Sequence, residues 1–148
     1  LMNKLTLFSL AIFLSISRVG TMEKPGPLCA KQIFTSLRFL SAPDFKKAIN
    51  LIDTDQLQNM RIEHNFNIFH VLAWPFQNEE IKHKCTMDNC AYSPRQMARL
   101  QAIKADMLLK KIGIARLKEK TTQGNTPGMI AAKAGNLRVL ARFILTKT

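Results

Sequence analysis

A single tryptophan and a single tyrosine leave this chain few platforms on which nucleobases could stack. Its three cysteines, Cys29, Cys85 and Cys90, are an odd set rather than a disulfide framework. No apolar run reaches the roughly twenty residues that a bilayer-spanning helix needs. A glycine-rich phosphate loop, an HExxH pair and a Gly-x-Ser-x-Gly elbow are all missing. These gaps remove the usual signatures of nucleotide hydrolysis, zinc hydrolysis and serine nucleophiles. His83, Cys85 and Cys90 offer zinc-ligand chemistry, but at no recognised spacing and without a fourth ligand. The chain is therefore expected to have no catalytic residues, no cofactor and no metal.

Negative charge is also scarce. Ten Asp and Glu face 22 Lys and Arg, a formal charge of +12. Such a surplus attracts nucleic acids, anionic membranes or acidic proteins without choosing among them. With 148 residues, 47% of them apolar, the chain can form one modest core and not two domains.

Lys4 precedes a short apolar stretch, Leu5 to Ile16, with the pattern of a signal peptide over residues 1–17. Ser15-Ile16-Ser17 supplies a small-x-small site, with Gly20 as the alternative cleavage point. Export or secretion follows as the expectation, with no stable membrane insertion once the leader is removed. The alternatives are an uncleaved tether and a buried amphipathic helix. Pro25, Gly26 and Pro27 mark residues 18–29 as a spacer. Export would permit a Cys85–Cys90 bridge across a short loop, leaving Cys29 free.

Residues 30–60 read as an N-terminal helical segment. Ile33, Phe34, Leu37 and Leu40 form one apolar stripe. Ser41 with Pro43 opens a second helix carrying Phe45, Ala48, Ile49 and Ile52, and a short helical turn can follow toward Met60. Ile68 to Trp74 fits either a buried strand or a short helix, and Gln77 to Asn89 a loop or ragged helix. The clearest helix opens at Ser93, with Pro94 at its first position and Gln96 completing a capping box. Its expected buried stripe is Met97, Leu100, Ile103, Met107 and Leu108, with a basic outer face that includes Arg95, Arg99, Lys104 and Lys110. It can run to Lys110 or as far as Lys118, with Gly113 as the break between the two readings.

The segment from Gly124 to Leu145, GNTPGMIAAKAGNLRVLARFIL, resembles an ankyrin repeat. Gly124 matches the turn glycine, Thr126 and Pro127 the helix opening, Ala131 and Ala132 the small pair, and Gly135 the glycine between helices. Asn136 can cap the second helix. Gly128 and Met129 depart from the pattern, standing where Leu packs and His braces the turn. A fainter copy runs from Asn65 to Ala73, with His70 at the bracing position. The two turns lie 59 positions apart, against a family period of about 33. One long repeat with an insertion, or a worn intermediate repeat, would fill the interval. The apolar second helix near Thr148 would suit a following repeat, as in a fragment of a longer protein.

The resemblance implies an all-α fold, a short ankyrin-like helical solenoid of helix-turn-helix units over residues 61–148. It also implies a non-catalytic protein-binding module with a protein partner. Glu63, His64, Asn65, Gln123 and Asn125, at the turns, are the candidate contacts. The alternative is a basic surface that binds nucleic acid or another polyanion.

Overall fold

Helices supply all the regular structure among residues 27–145, the part that the computed structural model describes. The signal-peptide reading of 1–17 and most of the 18–29 spacer lie outside the described residues. Eight helices follow one another: α1 (Pro27–Phe39), α2 (Ala42–Leu51), α3 (Thr54–Asn59), α4 (Ile68–Ala73), α5 (Asn78–Asp88), α6 (Pro94–Ile112), α7 (Pro127–Lys133) and α8 (Leu137–Leu145). Tight 3-10 turns at Glu63–Asn65 and Ala115–Lys118 complete the path. Pro27 begins α1, so the end of the expected spacer is already helical.

Local chemistry explains the boundaries. Ser41 accepts from the Asp44 N–H at 3.4 Å and opens α2. Ser93 and Gln96 close the reciprocal cap of α6, and Gly113, at φ 78°, ends it. Ile68–Ala73 is a helix and not a strand, because Asn67 caps it while Phe69, Leu72 and Ala73 are buried along it. Gln77 and Glu80 cap the start of α5, and Asn89 ends it in the left-handed region. Those caps make a regular helix of the stretch expected to be a loop or ragged helix.

The helices pack in two layers. In one, α4 lies between α1 and α7; in the other, α6 lies between α2 and α8. The layers meet where α4 packs on α6 and α7 on α8. A continuous apolar core runs from Ala30 through Phe45, Phe69 and Leu108 to Phe143. Residues 30–60 and the later helices therefore share one interior. A smaller cluster around Phe76, Ile81 and Met97 holds α5 to the rest.

Short helices end often, and each end leaves carbonyls that need donors. Long basic side chains provide many of them. At the end of α1, Lys104 Nζ donates to the carbonyls of Leu37 (2.9 Å) and Arg38 (2.7 Å), and Lys84 to that of Phe39 (2.6 Å). Arg38 donates onward to the carbonyls of Val71, Trp74 and Pro75, each at 3.0 Å. Gln101 adds a second donor to Trp74, and Asn136 one to Ala73.

Three sequence expectations fail here for that reason. Lys104 is 0% exposed rather than part of the basic outer face, because α1 needs its ammonium. Ile103, expected in the stripe, is exposed in its place. Asn136 is buried and reaches Ala73 and Gln101 across the core instead of capping α8. Burial, with the nearby charges of Lys84 and Arg38, holds the Lys104 ammonium well below its ordinary pKa.

Lys104→Met keeps the stem but strands two carbonyls, and is expected to cost about 2 kcal/mol in urea unfolding at unchanged m-value. An unchanged midpoint would contradict the capping role. At Gly128 a Cβ would meet Leu140 Cδ1 at 3.9 Å and Thr126 Oγ1 at 4.0 Å, both ordinary contacts, and the backbone lies outside the positive-φ region. Gly128→Ala should therefore stabilise by about 0.5 kcal/mol, read as a higher urea midpoint; a lower midpoint would refute this.

Candidate functional site

Two turns from distant parts of the sequence lie side by side. In the first, Ile62 N–H donates to Phe66 C=O at 3.0 Å, and His64 and Asn65 both take φ 62°. In the second, Thr121 N–H donates to Asn125 C=O at 2.9 Å, with Gly124 at φ 84°. Thr122 N–H joins them by donating to His64 C=O at 3.0 Å, and Asn65 Nδ2 reaches Lys120 C=O at 3.0 Å.

His70 sits under this junction, fully buried. Its Nδ1 accepts from the Asn67 N–H at 3.0 Å, while the Asn67 side chain accepts from the His70 N–H. That leaves Nε2 as the donor, 3.1 Å from both Glu119 C=O and Asn125 C=O. One ring thus caps α4 and ties it to the following turn. Asn67 Nδ2 donates to Arg116 C=O and to the Glu119 carboxylate, and Arg61 pairs with the same carboxylate. Burial would raise the pKa of Glu119, but its hydrogen bonds to Arg61 and Asn67 hold it below the ordinary value.

The second turn repeats the device. Thr126 accepts from the Met129 N–H at 3.3 Å, and Met129 Sδ accepts from the Thr126 N–H at 3.4 Å. Pro127 is buried at the first position of α7. Gly135, at φ 75°, closes α7 as Asn136 N–H bonds Ala131 C=O at 2.8 Å. Ala131 is buried against its neighbours, but Ala132 is exposed, contrary to its expected packing role. Helix α4 packs against both α1 and α7, whereas α7 packs against α4, α8 and the Ala115–Lys118 turn.

Of the candidate contacts, Glu63, His64, Asn65 and Gln123 are exposed along this turn edge. Glu63 faces Lys31 at 3.7 Å. Asn125 is not a free contact: its side chain accepts from Lys133 at 2.8 Å and its carbonyl from His70.

Next to the first turn lies a groove of about 330 Å³ that sequence reading missed. Ile62, Phe66, Val71, Trp74 and Pro75 form its apolar lining, and Arg38, Gln77 and Glu80 its polar part. Trp74 remains 45% exposed at the end of α4. Arg38 is fixed by a two-point pair with Glu80 (2.8 and 3.1 Å), by three carbonyls, and by the Phe76 ring 4.4 Å away. Burial would raise the pKa of Glu80, but Arg38 holds it below the ordinary value. The Trp-Pro step after an apolar run was the available signal for this groove; nothing local marks Arg38. Both His70 nitrogens are committed to backbone, and among the described residues no cluster of His, Cys, Asp and Glu is arranged to hold a metal. Cys85 and Cys90 are free thiols, so the loop bridge is not formed. Cys85 Sγ instead accepts from the Tyr92 N–H at 3.2 Å.

Desolvation lowers the His70 pKa below its ordinary 6.5, against the upward pull of its two carbonyl partners. The neutral ring's contribution to stability is complete above pH 6.5 and is lost as pH falls through the lower folded value. Glu80 and Glu119, depressed from 4.5, lose theirs only in more acid solution. Unfolding free energy should therefore already decline just below pH 6.5, and His70→Gln should flatten that part of the curve. Equal slopes in both proteins would contradict the assignment. Comparison with family models, with curated proteins and with solved structures finds no match to this chain.

Proposed function

We propose that this protein is a non-catalytic binding module of ankyrin-like units, engaging a protein partner through its turn edge and the Trp74 groove. The carrying observation is that two hydrogen-bonded turns joined to each other each lead, through the reciprocal caps Asn67–His70 and Thr126–Met129, into helices that pack together. In this reading α4 and α7 are first helices, and α6 and α8 second helices. Residues 134–136 join α7 to α8, whereas 74–93 join α4 to α6. The longer connection, which contains α5, together with the longer α6 fits the 59-residue interval to one repeat with an insertion. Helices α1 and α2 extend the same two layers as an N-terminal unit.

Several features support binding over chemistry. The turn edge is rigid, because His70, Asn67 and Arg61 tie it to the body. The groove presents an exposed indole beside a fixed Arg38–Glu80 pair, which suits a partner segment offering an apolar side chain. The excess positive charge would speed encounter with an acidic partner.

Affinity capture from a cell lysate, with nuclease and over a salt series, tests this reading. Discrete proteins should survive nuclease and moderate salt. Trp74→Ala, at an exposed position, should weaken their retention by about tenfold without moving the unfolding midpoint. Retention indifferent to Trp74→Ala would remove the groove from the account, and capture abolished by nuclease would replace it with the polyanion reading.

A further inference from the structure

Helices α2, α6 and α8 pack side by side in the layer that does not contain α1 and α4. Their exposed positions include Lys46 and Lys47 on α2, Arg95, Arg99 and Lys110 on α6, and Arg138 on α8. The acidic residues of these helices are Asp44 and Asp106. Asp106 bonds Arg142 of α8 at 3.0 Å. That pair joins the outer faces of α6 and α8 and neutralises the one acid in the α6 stripe. Arg95, Arg99, Ile103, Asp106 and Lys110 recur at steps that share one helix side, along about 22 Å of axis.

Cations are not the whole of this face. Among the described residues, five of the eight large apolar side chains left exposed, Leu51, Ile103, Leu137, Ile144 and Leu145, belong to these three helices. Each helix sets one of them near a cation. Leu51 lies one turn beyond Lys47, and Ile103 one turn beyond Arg99. Leu145, 72% exposed, shares the side of α8 that carries Arg138 and Arg142. A nucleic-acid backbone rewards the cations and leaves the aliphatic side chains against phosphate. An anionic bilayer rewards both, since the charges meet headgroups and the aliphatic tips enter the acyl boundary.

We propose that the outer face of α2, α6 and α8 is a peripheral docking surface for an anionic lipid bilayer. The contact is superficial: among the described residues no helix is long and apolar enough to cross a membrane. It leaves the turn edge and the Trp74 groove, borne mainly by the other layer, open to a protein partner.

Vesicle co-sedimentation of the full chain tests the proposal, comparing phosphatidylserine in phosphatidylcholine with phosphatidylcholine alone. Anionic vesicles should bind in a salt-sensitive way. Replacing Arg95, Arg99 and Lys110 together by Gln should lower partitioning by about a hundredfold. Replacing Lys82, Lys118 and Lys120, which lie off these three helices, makes the same charge change and should have a much smaller effect. Ile103→Ser with Leu145→Ser should lower it further at constant charge. Equal loss in the two triple variants would mean non-specific attraction and overturn the proposal. So would binding unaffected by the α6 variant, which would place the contact in the Leu5–Ile16 run. Absence of vesicle binding, with the α6 residues instead required to bind a short DNA duplex, would assign the face to nucleic acid.

Discussion

A six-residue helix has almost no stability of its own, because the cost of nucleation outweighs so few hydrogen bonds. Yet α4, Ile68 to Ala73, stands at the centre of this molecule and packs against α1, α6, α7 and α8. Its existence depends on its ends. At the start, Asn67 and His70 satisfy each other's backbone, and the His70 ring extends that closure to the turn that precedes α7. At the finish, Arg38, Gln101 and Asn136 bring donors from α1, α6 and the start of α8. Three helices are fixed relative to one another through the carbonyls of a fourth.

The same economy governs the use of charge. A surplus of Lys and Arg suggests an exposed coat, but several of these side chains hold the interior together. Lys104 and Lys84 close α1, Arg38 closes α4, and Arg61 clamps the carboxylate beside the second turn. A buried ammonium without a carboxylate partner is costly, and carbonyls at a helix end are among the few neutral groups that can offset that cost. Other cations stay exposed, among them Lys46, Lys47, Arg95, Arg99, Lys110 and Arg138 on α2, α6 and α8 and Lys82, Lys118 and Lys120 elsewhere. The molecule thus divides its basic residues between internal capping and the exposed surface.

Helical caps were the most legible feature of the sequence. Ser41, Ser93, Thr126 and Gly135 all act at the boundaries their chemistry implied, because capping depends on residues three or four apart, whereas the end of α6 at Gly113 was one of two readings. The turn positions of His64, Asn65 and Gln123 were also readable, from the Asn- and Gly-containing sequence around them. What escaped depended on distant partners. The sides that Lys104 and Ile103 take on α6 are not legible in its periodicity, because that pattern carries no trace of α1 ending beside it. Asn136 looked like a cap and serves the core. The Trp74 groove needs Arg38, distant in sequence, and no local pattern announces that pairing.

Amide hydrogen exchange across α4 tests most directly whether this short helix is the fixed centre of the fold. The amides of Val71, Leu72 and Ala73 should exchange as slowly as those in the middle of α6, opening only with global unfolding. Fast exchange of these amides, with α6 still protected, would show α4 fraying independently and would contradict the dependence of both layers on its capped ends.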